Sequence, residues 1–135
     1  RGLGDVYKRQ AHNNWAQALR GMGRFEEAIA HCQQAIQLQP DLAMAHINWG
    51  DALLQMNRYE QAIDHYQQAL QTNSNLARAY HHWGIALVKQ QQLQEAVQKF
   101  QQALRLQPSN EDARNNLQQV QAALRQNKSA PSAKK

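Results

Sequence analysis

INWGDALLQMNRYEQAIDHYQQAL, residues 47–70, reads as two short amphipathic helices joined by a tight turn. Trp49, Ala52, Leu53 and Met56 fall at the i, i+3, i+4, i+7 spacing that lines one helical stripe with apolar side chains. Tyr59, Ala62, Ile63, Tyr66, Ala69 and Leu70 renew that spacing in the second half. Asn57 stands between the two, at a position where asparagine or glycine most easily takes a left-handed backbone.

The same reading extends in both directions at a fixed step. Trp15, Trp49 and Trp83 are 34 residues apart in both intervals. Leu19, Leu53 and Leu87 keep that interval, as do Ala28, Ala62 and Ala96, then Cys32, Tyr66 and Phe100, then Ala35, Ala69 and Ala103. Pro40 and Pro108 close the first and third units, because proline cannot continue a helix. Gly23 and Gln91 take the place of Asn57, and a left-handed glutamine is expected to cost about 1 kcal/mol relative to glycine. A recurring step of this length marks a solenoid in which no unit buries its faces alone.

These residues resemble the tetratricopeptide repeat family. Its pattern sets a bulky residue beside a small one in the first helix, then alanine, aromatic and alanine on the second, then proline. Asn14-Trp15-Ala16, Asn48-Trp49-Gly50 and His82-Trp83-Gly84 match the first part. The resemblance implies an all-α chain of about seven helices, a right-handed α-solenoid of antiparallel helix pairs. Residues 9–42, 43–76 and 77–110 are expected to form three repeats, and 111–127 a C-terminal capping helix opened by a capping box at Ser109. Gln118 and Gln121 give that helix a polar outer face. Ala16, Gly50 and Gly84 are small because a helix crosses there, and the ring of Tyr66 or Phe100 fills the seam to the next unit. The tryptophans are expected to be buried, so truncating one to alanine costs about 3–5 kcal/mol.

Residues 1–8 fit the register poorly and read as a segment foreign to the array. The chain opens on arginine, which suggests a fragment of a longer protein. Residues 128–135, with Pro131, two serines and three lysines, read as a disordered basic tail.

The formal charge of +5 belongs to the two ends. Between residues 10 and 127, nine basic side chains face nine acidic ones, so the body lacks the clustered basic surface a phosphate backbone requires. Nucleic acid is thereby set aside as a partner. No run approaches the roughly 18 apolar residues of a membrane helix, so no direct membrane insertion is expected. The lone Cys32 has no disulfide partner; it favours the cytoplasm and leaves the periplasm open.

Candidate chemistry dissolves into the repeat. His12 and His46 are one step apart, as are His31 and His65, and no two histidines share a face at i, i+4 with a carboxylate motif. They read as surface or groove residues rather than metal ligands. Cys32 takes the place of Tyr66 and Phe100 and lacks an oriented base. Glu26-Glu27 and Glu111-Asp112 lie in first helical turns, where the helix dipole favours anions. The expectation is a chain without catalytic residues, metal or cofactor.

Stacked units place their first helices along the concave side. Asn14, Asn48, His82 and Asn116 recur there, similar to the asparagine ladder of O-linked N-acetylglucosamine transferase. In that resemblance the amides grip the backbone of an extended peptide, having both donors and acceptors to offer it. Gln17, Met44, Ile47, Asp51, Arg78, His81, Ile85 and Lys89 are expected to line the same groove. The carboxylate clamp of chaperone-binding relatives fits less well. Asn48 and Arg78 match two of its places, whereas Asn13, Gln17 and His82 stand where lysine, asparagine and arginine are required.

The leading reading is a scaffold that binds a peptide or partner helix in its groove. Two others accompany it: the C-terminal, substrate-recruiting segment of a larger bacterial enzyme such as a glycosyltransferase or of an envelope-assembly factor, and a module that self-associates through its uncapped first repeat. The first reading carries a test: Asn14→Ala with Asn48→Ala weakens peptide capture at little cost in melting temperature.

Overall fold

The computed structural model describes residues 3–129, with side chains described as far as Asn127. Seven helices follow one another and no strand forms among these residues: α1 Leu3–Gly21, α2 Phe25–Leu38, α3 Ala43–Gln55, α4 Tyr59–Thr72, α5 Ala77–Lys89, α6 Leu93–Leu106 and α7 Glu111–Ser129. Each hairpin turn is built alike. Gly23, Asn57 and Gln91 take φ values of 78°, 65° and 63°. The following amides of Arg24, Arg58 and Gln92 reach back to the carbonyls of Leu19, Leu53 and Leu87 at 2.8–2.9 Å, closing a Schellman cap. One local geometry thus fixes all three hairpins.

α2 packs on both α1 and α3, α4 on α3 and α5, and α6 on α5 and α7. The first helices also touch in sequence, α1 with α3, α3 with α5 and α5 with α7. Among the described residues the second helices α2, α4 and α6 do not touch one another. A stack in contact along one side and splayed along the other must curve, with the first helices on its concave face.

Close approach within each pair rests on small residues. Ala28, Ala62 and Ala96 are fully buried. A Cβ on Gly50 would come 2.7 Å from Tyr66 Cε1 and 3.1 Å from the Ala62 carbonyl, and one on Gly84 would come 2.5 Å from Phe100. The first unit tolerates Ala16 because a thiol, Cys32, stands where those rings do.

The core is a series of clusters strung along the stack. Trp49 rests on the first unit's cluster of Ala16, Ala28 and Cys32 as well as on its own, and Trp83 likewise spans the second and third. The indoles occupy equivalent sites, each beside the residue sixteen positions on: Trp15 by His31, Trp49 by His65, and Trp83 under the ammonium of Lys99 at 3.8 Å. They are not buried as the sequence led one to expect. Trp49 and Trp83 are half-buried, and Trp15 is 55% exposed. The cost of a fully buried tryptophan therefore does not transfer to them.

Residues 3–8, ahead of the expected first repeat, are helical and run into α1. Two further expectations need correction. Asn110, not Ser109, caps α7, its Oδ1 accepting the Ala113 amide at 3.0 Å. α7 also continues two residues past 127, and the rest of the expected tail lies outside the described residues.

Candidate functional site

The concave face is organised by hydrogen bonds between residues 35 apart. Asn48 Nδ2 donates to Asn13 Oδ1 at 3.2 Å, Asn116 Nδ2 donates to His81 Nε2 at 3.0 Å, and Arg20 Nη1 donates to Gln55 Oε1 at 3.1 Å. Each bond ties a first helix to the next one in the stack. The offset is one repeat plus one residue because a neighbouring helix meets its predecessor slightly staggered.

At the joint between the second and third units these bonds meet a buried charge. Asp51 on α3 is 2% exposed. Its Oδ1 accepts from the Tyr66 hydroxyl at 2.7 Å and from His82 Nδ1 at 2.6 Å, and its Oδ2 accepts from Arg78 Nη2 at 2.6 Å. The same Arg78 nitrogen donates to Asn48 Oδ1 at 3.3 Å. Burial opposes ionisation of Asp51, yet His82, Arg78 and Tyr66 outweigh it and hold its carboxyl below the usual carboxylate range. The Tyr66 phenol is pushed up, by burial first and the neighbouring carboxylate second. Asp51 thus sits as a charge-assisted hub joining side chains of α3, α4 and α5.

This network redraws the expected groove. Asn14, Gln17 and Lys89 are exposed, and Met44, Arg78, His82, Ile85 and Asn116 are half-buried. Ile47 is wholly inside the core, and Asn48, Asp51 and His81 are buried as well, so these four do not line an open surface. The ladder is real in spacing and different in use: both amide ends of Asn48 are spent inside the molecule, and Asn116 is bound to His81. A first-helix position so close to the next helix is sealed by it, which the spacing alone does not reveal.

The histidines hold a second feature that the sequence hid. His12 and His31 face each other across the first hairpin with Nδ1 atoms 2.9 Å apart, and His46 and His65 do the same in the second at 3.2 Å. Tyr80 and Lys99 replace the pair in the third unit. Each pair is therefore a hydrogen bond within a hairpin rather than a set of loose surface groups. Burial, then the facing His46, lowers His65 to about 4, and burial also lowers His12, His46 and His81. Among the described residues no group of three or more His, Cys, Asp or Glu is placed to hold a metal ion. Burial pushes the Cys32 thiol up to about 12, which leaves it protonated and unreactive at neutral pH. No helix among the described residues is long and apolar enough to cross a membrane.

The family model for the tetratricopeptide repeat matches residues 7–75 and again 41–109. No curated protein matches the sequence. Among solved structures, the first such domain of Spaghetti (RPAP3), bound to the HSP90 peptide SRMEEVD, is 24% identical with a TM-score of 0.84, over 87% of this chain and 96% of that one. The second domain of human RPAP3, in complex with an HSP70 peptide, is 24% identical at a TM-score of 0.78, over 87% and 98%. The Thermobaculum terrenum O-GlcNAc transferase is 21% identical at 0.81, over 86% of this chain and 22% of that one. At such identities the likeness is one of fold.

Proposed function

Because the chain belongs to the tetratricopeptide repeat family, we propose that it is a non-enzymatic interaction module whose concave face holds an extended segment of another protein. The observation that carries this reading is the open column on the first helices. Asn14, Gln17, His82, Ile85 and Lys89 stay at least partly accessible there, on helices that cross-repeat hydrogen bonds hold in fixed order. Rigid elements that present spaced amides can pair with a peptide backbone whatever its side chains. Domains of the same fold that hold HSP90 and HSP70 peptides support the reading.

A peptide array probed with wild type and with the exposed-residue variant Asn14→Ala/Gln17→Ala/Lys89→Ala tests it. Capture should fall in the variant while the melting temperature holds. Equal capture by both proteins rejects the groove. Asn48→Ala no longer suits this purpose, since it removes a partner from both Arg78 and Asn13 and should lower the melting temperature.

Two other readings have observations of their own. The likeness to part of a glycosyltransferase supports a substrate-recruiting segment of a larger enzyme, which the sequence flanking this chain in its gene would decide. The exposed apolar edge of Leu3, Tyr7, Trp15 and Met22 supports self-association through the first hairpin. A concentration-independent monomer in light scattering rejects that one.

A further inference from the structure

The Asp51 hub occurs at one joint of the array and not at the others. Where the second unit has Asp51 and Tyr66, the first has Gln17 and Cys32 and the third has Ile85 and Phe100. Where the third unit has Arg78 and His82, the second has Met44 and Asn48 and α7 has Asp112 and Asn116. At these places the first joint therefore stacks without a carboxylate, a guanidinium or an imidazole, and the third has a single carboxylate, Asp112, with neither a guanidinium nor an imidazole to meet it. A buried ion pair is seldom a net gain over apolar packing, so stacking alone does not account for four departures converging on one point.

What Arg78, His82 and Tyr66 hold is a carboxylate, by three charge-assisted hydrogen bonds of 2.6–2.7 Å. Arg78 and His82 also face the groove, their side chains 34% and 24% exposed, whereas Asp51 lies beneath them at 2%. A ligand carboxylate arriving from the groove would meet the same donors from the open side. It would have to compete with a group fixed in place on the same chain, at an effective concentration no free peptide reaches.

We infer that Arg78 and His82 form a carboxylate-binding site on the concave face which the chain's own Asp51 occupies, so that Asp51 steers the groove away from acidic peptides and toward segments recognised through their backbone. This rests on the peptide-holding reading and names the ligand class: extended segments without an essential carboxylate at this point. Asp51 is a specificity-determining residue acting through Arg78. The chain thereby departs from the relative that holds SRMEEVD, although the two share a fold.

Fluorescence anisotropy decides it with two labelled peptides, SRMEEVD and a counterpart stripped of carboxylates, SRMQQVN with an amidated end. Wild type should show no preference for the acidic peptide. Asp51→Asn and Asp51→Gln, the latter supplying the residue that the first unit already has there, should prefer it by about tenfold or more, the scale of a close charge pair. Adding Arg78→Ala to Asp51→Asn should abolish that preference. Folded Asp51 variants that gain nothing overturn the inference. So does a wild-type preference for the acidic peptide that Arg78→Ala removes, an outcome that would still uphold the peptide groove. If both Asp51 variants unfold, the wild-type ratio alone decides. Gain by the Asp51 variants alongside an array that captures nothing with wild type would sink the peptide reading and leave the site standing.

Discussion

The indole of Trp49 lies over the imidazole of His65, ring centroids 4.0 Å apart and planes 24° from parallel, while Nδ1 of that imidazole meets His46 Nδ1 at 3.2 Å. A neutral ring is favoured in such a place, because burial penalises a charge on His65 and protonating both histidines would set two cations against each other.

Stability should therefore fall in mild acid. In the unfolded chain these imidazoles take up protons near their ordinary value of about 6.5, whereas folded His65 does so only near 4. The contribution is complete above the ordinary value and is lost as pH drops from there toward the folded one. His12 and His46 are lowered too and act in the same direction. Thermal melts between pH 7.5 and 4.5 should show a steady decline, shallower in His65→Gln. An equal decline in both proteins removes the histidine pair as its source.

Gly84→Ala should destabilise by about 1–3 kcal/mol through overpacking, because the added methyl would lie 2.5 Å from Phe100. In a Phe100→Cys background, which imitates Ala16 opposite Cys32, that penalty should largely vanish. A double-mutant cycle by urea titration reads the difference. Additive effects would show that glycine is not kept for the ring.

Gln91→Gly should stabilise by about 1 kcal/mol, because glutamine takes a left-handed backbone there without steric relief. Gly23→Ala should act in the opposite sense at the equivalent turn, φ 78°. Nothing in open space around Gly23 obstructs a methyl, so the effect isolates backbone conformation. A urea midpoint unmoved by Gln91→Gly contradicts this.

The fold was legible because tryptophan, leucine and alanine recur at one interval, and an interval survives any ignorance of packing. The site was legible only in part. Asn14 and Asn48 look alike in sequence, but Asn48 is buried and bonded to Asn13 on α1, whereas Asn14 is exposed. The histidine pairs join positions nineteen apart, a register that depends on how two antiparallel helices slide past each other. One signal was there to be read: the hydroxyl of Tyr66 is present in the unit that has Asp51, and Phe100 lacks it where Ile85 stands instead. Hydroxyl and carboxylate come together because a buried carboxylate needs donors.

Cys32 puts a thiol where its counterparts put rings, and among the described residues the hairpin that carries it packs against α3 alone. An array whose strength is shared between adjoining units is weakest where a unit has one neighbour and a thin filling. Denaturation should accordingly run like a zipper drawn from one end, with the amide protons of α1 and α2 surrendered to solvent before those of α5 and α6. The polar hub at Asp51 would then be the gate this unravelling has to pass.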